Sequence, residues 1–144
     1  MRLCSERLMR KKILIVEDNT ELLELLRLNC KEAGFSIATA TNGIEALKKA
    51  RSVSPDLIVL DLVLPELDGF AVCETLRREP ATASLPILIL TGLSGQFGRY
   101  AGLESGASQY VAKPANPADL VLKIREMLSP SLSSGTAAEP ATAS

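Results

Sequence analysis

Asp61 closes an unbroken apolar run, Leu57-Ile-Val-Leu60, of the kind that forms a strand buried on both faces of a parallel sheet. A carboxylate at the carboxyl end of such a strand stands in the crevice where open α/β sheets bind ligands. Other polar residues follow other apolar runs in the same way: Glu17 and Asp18 after Ile13-Leu-Ile-Val16, Thr91 after Ile87-Leu-Ile-Leu90, and Lys113 after the shorter stretch from Ser108 to Ala112. Carboxylates gathered at one rim repel one another and resist full ionisation unless a cation intervenes. Mg²⁺, or Mn²⁺, suits such a set, since it takes oxygen ligands, keeps several waters and is held by one or two carboxylates plus phosphate oxygens. Lys113 adds a compact positive charge and Thr91 a hydroxyl. Together these groups can stabilise a phosphoryl group on a carboxylate nucleophile.

The elements that must bring these residues together alternate along the chain. Strands are expected at 12–16, 35–39, 57–60, 86–90 and 108–112, the second more polar and suited to a sheet edge. Asn19 or Thr20 can cap the first helix, in which Leu22, Leu25, Leu26, Asn29, Cys30 and Ala33 fall at helical spacing and Gly34 provides the stop. Asn42-Gly43 reads as a turn before a short helix over 44–51 burying Ile44, Leu47 and Ala50. A third helix carries Phe70, Cys73 and Leu76 to about Arg78. The segment 92–106 should hold a fourth, the weakest, because each interior glycine costs about 1 kcal/mol relative to alanine. Asn116 is a good cap and Pro117 a good first residue for a last helix reaching Leu128, with Leu120, Val121, Ile124 and Leu128 inward. Five such units imply an α/β fold, a parallel sheet with helices on both faces and right-handed crossovers.

Composition narrows the chemistry. The chain has 144 residues, 47% of them hydrophobic, and a net charge of -1, which fits one well-buried domain and calls for neither nucleic acid nor an anionic membrane. It contains no histidine, so Ser/His and Cys/His nucleophilic catalysis are excluded, as is a phosphohistidine within this chain. Cys4, Cys30 and Cys73 are widely spaced, without a Cys-x-x-Cys, and Cys30 and Cys73 read as reduced core thiols of a cytoplasmic protein. No apolar run approaches the roughly 18 residues of a membrane span. Residues 1–10 read as an N-terminal extension, 11–128 as the folded domain, and 129–144, rich in Ala, Pro, Ser and Thr, as a disordered tail or a linker.

Over roughly residues 11–128 the chain resembles the receiver domain of two-component response regulators. The resemblance rests on Glu17-Asp18, the stretch Asp61-Leu-Val-Leu-Pro-Glu-Leu-Asp-Gly69, Thr91 followed by Gly92, Gly106-Ala107, Tyr110 and Lys113-Pro114, each after its expected strand. It implies a flavodoxin-like, three-layer fold with strand order 2-1-3-4-5. It further implies that Asp61 accepts a phosphoryl group from the phosphohistidine of a histidine kinase or histidine phosphotransfer protein. Asp18, Asp61 and the Val63 backbone carbonyl would hold the metal, with Glu17 reaching it through water. Lys113 would pair with the phosphoryl oxygens, Thr91 would move to bond one of them, and Tyr110 would turn inward, while the Lys113-Pro114 bond would be cis. Such a domain is a phosphoacceptor switch that promotes its own phosphorylation and dephosphorylation rather than an enzyme acting on others. It regulates a downstream protein or an output domain and does not itself contact nucleic acid or membrane. A receiver-shaped interaction module that takes no phosphate is one alternative. A carboxylate-nucleophile phosphatase is disfavoured, because Val63 stands where such enzymes usually have a second Asp. Ala115 departs from the Phe of one DNA-binding subgroup. Val63 and Leu93 flank the expected path of attacking water and cannot orient one, which predicts a long-lived aspartyl phosphate.

Overall fold

A computed structural model of the chain describes residues 11–92, 106–113 and 116–129. The apolar runs form β1 (Lys12–Val16), β2 (Ser36–Ala40), β3 (Leu57–Leu60), β4 (Ile87–Thr91) and β5 (Gln109–Ala112). They make one five-stranded sheet in the order β2-β1-β3-β4-β5, parallel throughout. Every residue of β3 is buried, as a strand covered on both sides requires. The edge strand β2 is buried only at Ala40.

Alternate residues of each strand serve opposite layers. Leu14, Val16, Ile58, Leu60, Ile87 and Ile89 pack against α2 (Gly43–Val53) and α3 (Gly69–Arg78). Ile13, Ile15, Leu57, Val59, Leu88 and Leu90 pack against α1 (Thr20–Glu32) and α4 (Pro117–Leu128). Burial of each such side chain contributes about 1.5–3 kcal/mol, so the two faces of the sheet stabilise the domain jointly. Each helix starts on a side-chain cap that occupies one of its free N–H groups. Asn19 accepts from Leu22 N, Asn42 from Glu45 N, Asp68 from Ala71 N and Asn116 from Ala118 N.

The structure shifts some expected positions. In α1 the buried residues are Leu23, Leu26 and Cys30, while Leu25 is 47% exposed. Asn42-Gly43 is the cap and first residue of α2 rather than a separate turn, and Ala46 is buried where Ile44 had been expected. Ile44 points outward, 42% exposed. The segment after α3 is tied down by Arg77, which donates to the carbonyl oxygens of Ala83 (3.2 Å), Leu85 (2.7 Å) and Gly106 (2.9 Å). Within it Thr82 is buried and donates to Leu76 O at 2.7 Å. The expected glycine-rich helix at 93–105 lies outside the described residues.

Candidate phosphoacceptor and metal site

The sheet delivers its polar residues to one rim through its backbone. Asp61 N donates to Val16 O and Glu17 N to Ala40 O, both at 3.1 Å. The parallel ladder therefore continues one residue past each strand and fixes Glu17 and Asp61 side by side. Gly69, the first residue of α3, lets the chain fold back closely over this point. A Cβ on it would lie 2.3 Å from Asp61 O, and its N–H bonds to Leu62 O at 2.9 Å.

Glu17 and Asp61 are buried, at 1% and 3% exposure, whereas Asp18 faces solvent. Each of the three offers a carboxylate oxygen, and these atoms lie within 4.8 Å of one another. Lys113, directly after β5, reaches between the buried pair: its Nζ is 2.9 Å from Asp61 Oδ2 and 2.8 Å from Glu17 Oε1. The other oxygens are held from the backbone, Asp61 Oδ1 by Val63 N (3.1 Å) and Glu17 Oε2 by Asn19 N (3.1 Å). Asn19 thus caps α1 with its side chain and fixes Glu17 with its main chain, a double role that its position two residues after Glu17 makes possible.

Glu17 Oε1 is buried and pairs with the Lys113 ammonium at 2.8 Å. Burial raises the Glu17 pKa above its ordinary value, and the neighbouring Asp61 charge adds to this, while the Lys113 ammonium works the other way. Burial also disfavours the charge on Lys113, but the bonds to Asp61 and Glu17 outweigh it and hold that pKa above normal. Three carboxylates gathered around a single ammonium leave negative charge that a hard cation would neutralise. Opposite ligands of Mg²⁺ stand about 4.2 Å apart, twice its metal–oxygen distance.

Glu17, Asp18, Asp61 and Lys113 are therefore brought together as their order after the strands suggested. Val63 sits beside them through its N–H, with its side chain 59% exposed. Tyr110 is half-buried on β5 against the α2/α3 core. Thr91 ends β4, and a Cβ on the following Gly92 would lie 4.0 Å from Lys113 Cδ, so this strand end borders the site. The Thr91 side chain, Leu93, Pro114 and Ala115 lie outside the described residues. The backbone donors Val63 N and Asn19 N could not be foreseen from residue types, because they depend on the path of the chain after each strand.

Among the described residues no helix is long and apolar enough to cross a membrane. Residues 13–125 match the response regulator receiver domain family. The alkaline phosphatase synthesis transcriptional regulatory protein PhoP of Bacillus subtilis is 43% identical over 120 residues, 83% of this chain and 49% of that protein. The chain spans about half the length of the curated relatives it matches. A response regulator crystal structure from Chloroflexus aurantiacus superposes with a TM-score of 0.80 at 37% identity, covering 83% of this chain and 98% of that one. The receiver domain of a Pseudomonas aeruginosa sensor histidine kinase, whose structure has a magnesium ion in the active site cleft, gives a TM-score of 0.75 at 30% identity, covering 82% and 96%. The same fold, with matching sequence across the segment that carries the acidic rim, is the mark of common descent: this chain belongs to the response regulator receiver domain family, whose members are phosphorylation-activated signalling switches.

Proposed function

We propose that Asp61 is the phosphoacceptor of this receiver and that Glu17, Asp18, Asp61 and the Val63 carbonyl form its Mg²⁺ or Mn²⁺ site. The observation that carries the reading is the Lys113 ammonium bridging two buried carboxylates at the carboxyl rim of the sheet. A bound divalent ion would neutralise the acidic cluster and the charge gathering on the phosphoryl oxygens. Lys113 holds Asp61 Oδ2 and is placed to follow the incoming phosphoryl oxygens. Val63 N–H fixes the carboxylate plane through Oδ1, so Asp61 meets the phosphorus in one orientation. The chain has no histidine, so the phosphohistidine donor lies outside these residues, on a histidine kinase or a histidine phosphotransfer protein. The carboxylate takes the phosphoryl group as the phosphorus–nitrogen bond breaks and the imidazole leaves.

Thr91 and Tyr110 are the residues that read the new charge. A phosphoryl group shifts the conformation only as far as its contacts differ between the two states. The Thr91 hydroxyl and the Tyr110 ring, on adjacent strands β4 and β5, supply that difference. The domain promotes its own phosphorylation and dephosphorylation, and its output acts through a downstream protein or an attached domain, in keeping with relatives named as transcriptional regulators.

Phosphoramidate or acetyl phosphate with Mg²⁺ tests the assignment by intact-protein mass spectrometry. One phosphoryl mass should be gained, should not be gained when the divalent ion is chelated beforehand, and should be absent in Asp61→Asn. No gain overturns it and favours an interaction module that takes no phosphate, and an equal gain in Asp61→Asn overturns it by placing the phosphoryl group on another residue.

A further inference from the structure

The stretch from Asp61 to Gly69 is shaped from outside the sheet as well as by its own bonds. Gly43, the first residue of α2, is pressed against it: a Cβ there would lie 1.7 Å from Leu67 O, 2.6 Å from its carbonyl carbon and 2.7 Å from its Cβ. Two of those atoms are main chain, so a side chain at 43 cannot be accommodated by turning a rotamer. Gly43 N also points at this stretch, donating to Pro65 O at 3.4 Å, and Leu67 N closes on the same carbonyl at 2.8 Å. The positive end of the α2 macrodipole thus faces carbonyl oxygens of the segment that carries Asp61.

The helix end is itself braced. Asn42 Oδ1 accepts from Glu45 N at 2.8 Å, and Glu45 Oε1 accepts from Thr41 N at 2.9 Å, which ties the first turn of α2 to the end of β2. From this seat the chain runs back two residues from Pro65 to Val63, whose N–H holds Asp61 Oδ1 at 3.1 Å. Resting on the assignment of the acidic cluster as a divalent-ion site, we infer that Gly43 is a positioning residue for that site, its missing side chain letting α2 set the Val63–Leu67 path and through it the orientation of the Asp61 carboxylate.

Displacing that path should cost ion affinity in the way that loss of a group orienting a metal ligand does. Mg²⁺ alone, titrated calorimetrically into the full chain, is the probe, with Gly43→Ala compared with Ala50→Gly. Ala50→Gly weakens the same helix at a buried position remote from the loop. Gly43→Ala should bind Mg²⁺ about tenfold or more weakly, whereas Ala50→Gly should stay within about twofold of the parent. In the unsubstituted chain, the Gly43 and Leu67 amide NMR signals should shift along the same Mg²⁺ titration curve as Val63, so the test holds even if Gly43→Ala fails to fold. Unchanged affinity in Gly43→Ala, an equal loss in Ala50→Gly, or silent amides at 43 and 67 overturns the inference while leaving the ion site standing. An unsubstituted chain that takes up no Mg²⁺ overturns both.

Discussion

Glu17 shows what the site costs the fold. Its carboxylate is buried with the Lys113 ammonium against it, and burial, reinforced by Asp61, lifts its pKa above the ordinary 4.5. An acid raised in this way stabilises the fold fully below its unfolded pKa, and the contribution is lost as pH rises through the higher folded value. Glu17→Gln removes that penalty, so the metal-free protein should gain about 1 kcal/mol at neutral pH in urea unfolding. That gain should shrink as pH falls through the raised folded pKa toward 4.5 and be absent below it, and a loss of stability at neutral pH would contradict the assignment. Val63 raises a separate question of lifetime. Its exposed side chain beside Asp61 has no polar atom with which to orient water, so Val63→Asn should speed decay of the phosphorylated form by about tenfold, read by loss of the phosphoryl mass with time. An unchanged decay rate would remove Val63 from the control of hydrolysis.

At the scale of elements, the segment between β3 and α3 carries local strain. Glu66 adopts φ 71°, a left-handed conformation that costs a residue with a side chain about 1–2 kcal/mol. Glycine escapes that cost but loses more chain entropy, so Glu66→Gly should raise stability by about 0.5–1 kcal/mol. Equal or lower stability in thermal melts would show that the Glu66 side chain compensates. The same scale separates what residue order reveals from what it hides. Strands β1, β3 and β4 were legible because Ile, Leu and Val runs covered on both faces have few alternative placements, and Glu17 and Asp61 were legible because each follows one, whereas Lys113 follows the more polar edge strand β5. The register of α1 was not, since leucines at 22, 23, 25, 26 and 28 offer two overlapping apolar arcs and only packing against the sheet selects Leu23 over Leu25. In α2 the close seat of Gly43 on Leu67 rotates Ala46 inward and Ile44 outward. Periodicity carries no record of such backbone contact.

The whole molecule is built as two cores divided by one sheet, and each holds a cysteine. Cys30 lies in the α1/α4 core and Cys73 in the α2/α3 core, with burial pushing their pKa values up to about 11 and about 12. Neutral, enclosed thiols react only when the fold opens. Because both cores rest on the same strands, Cys30 and Cys73 should be modified by a thiol reagent at one common slow rate in Cys4→Ser protein, resolved by peptide mass spectrometry. Markedly different rates would mean that one layer detaches while the other stays closed.

Arg77 binds the turn after α3 at the amino end of the strands, the opposite end from Asp61. Ser84 in that turn is exposed, on backbone whose neighbouring carbonyls the guanidinium holds. A dye attached at a Ser84→Cys position would ride on a firm base, well removed from phosphate chemistry, and would give a spectator signal against which motion elsewhere in the receiver could be gauged.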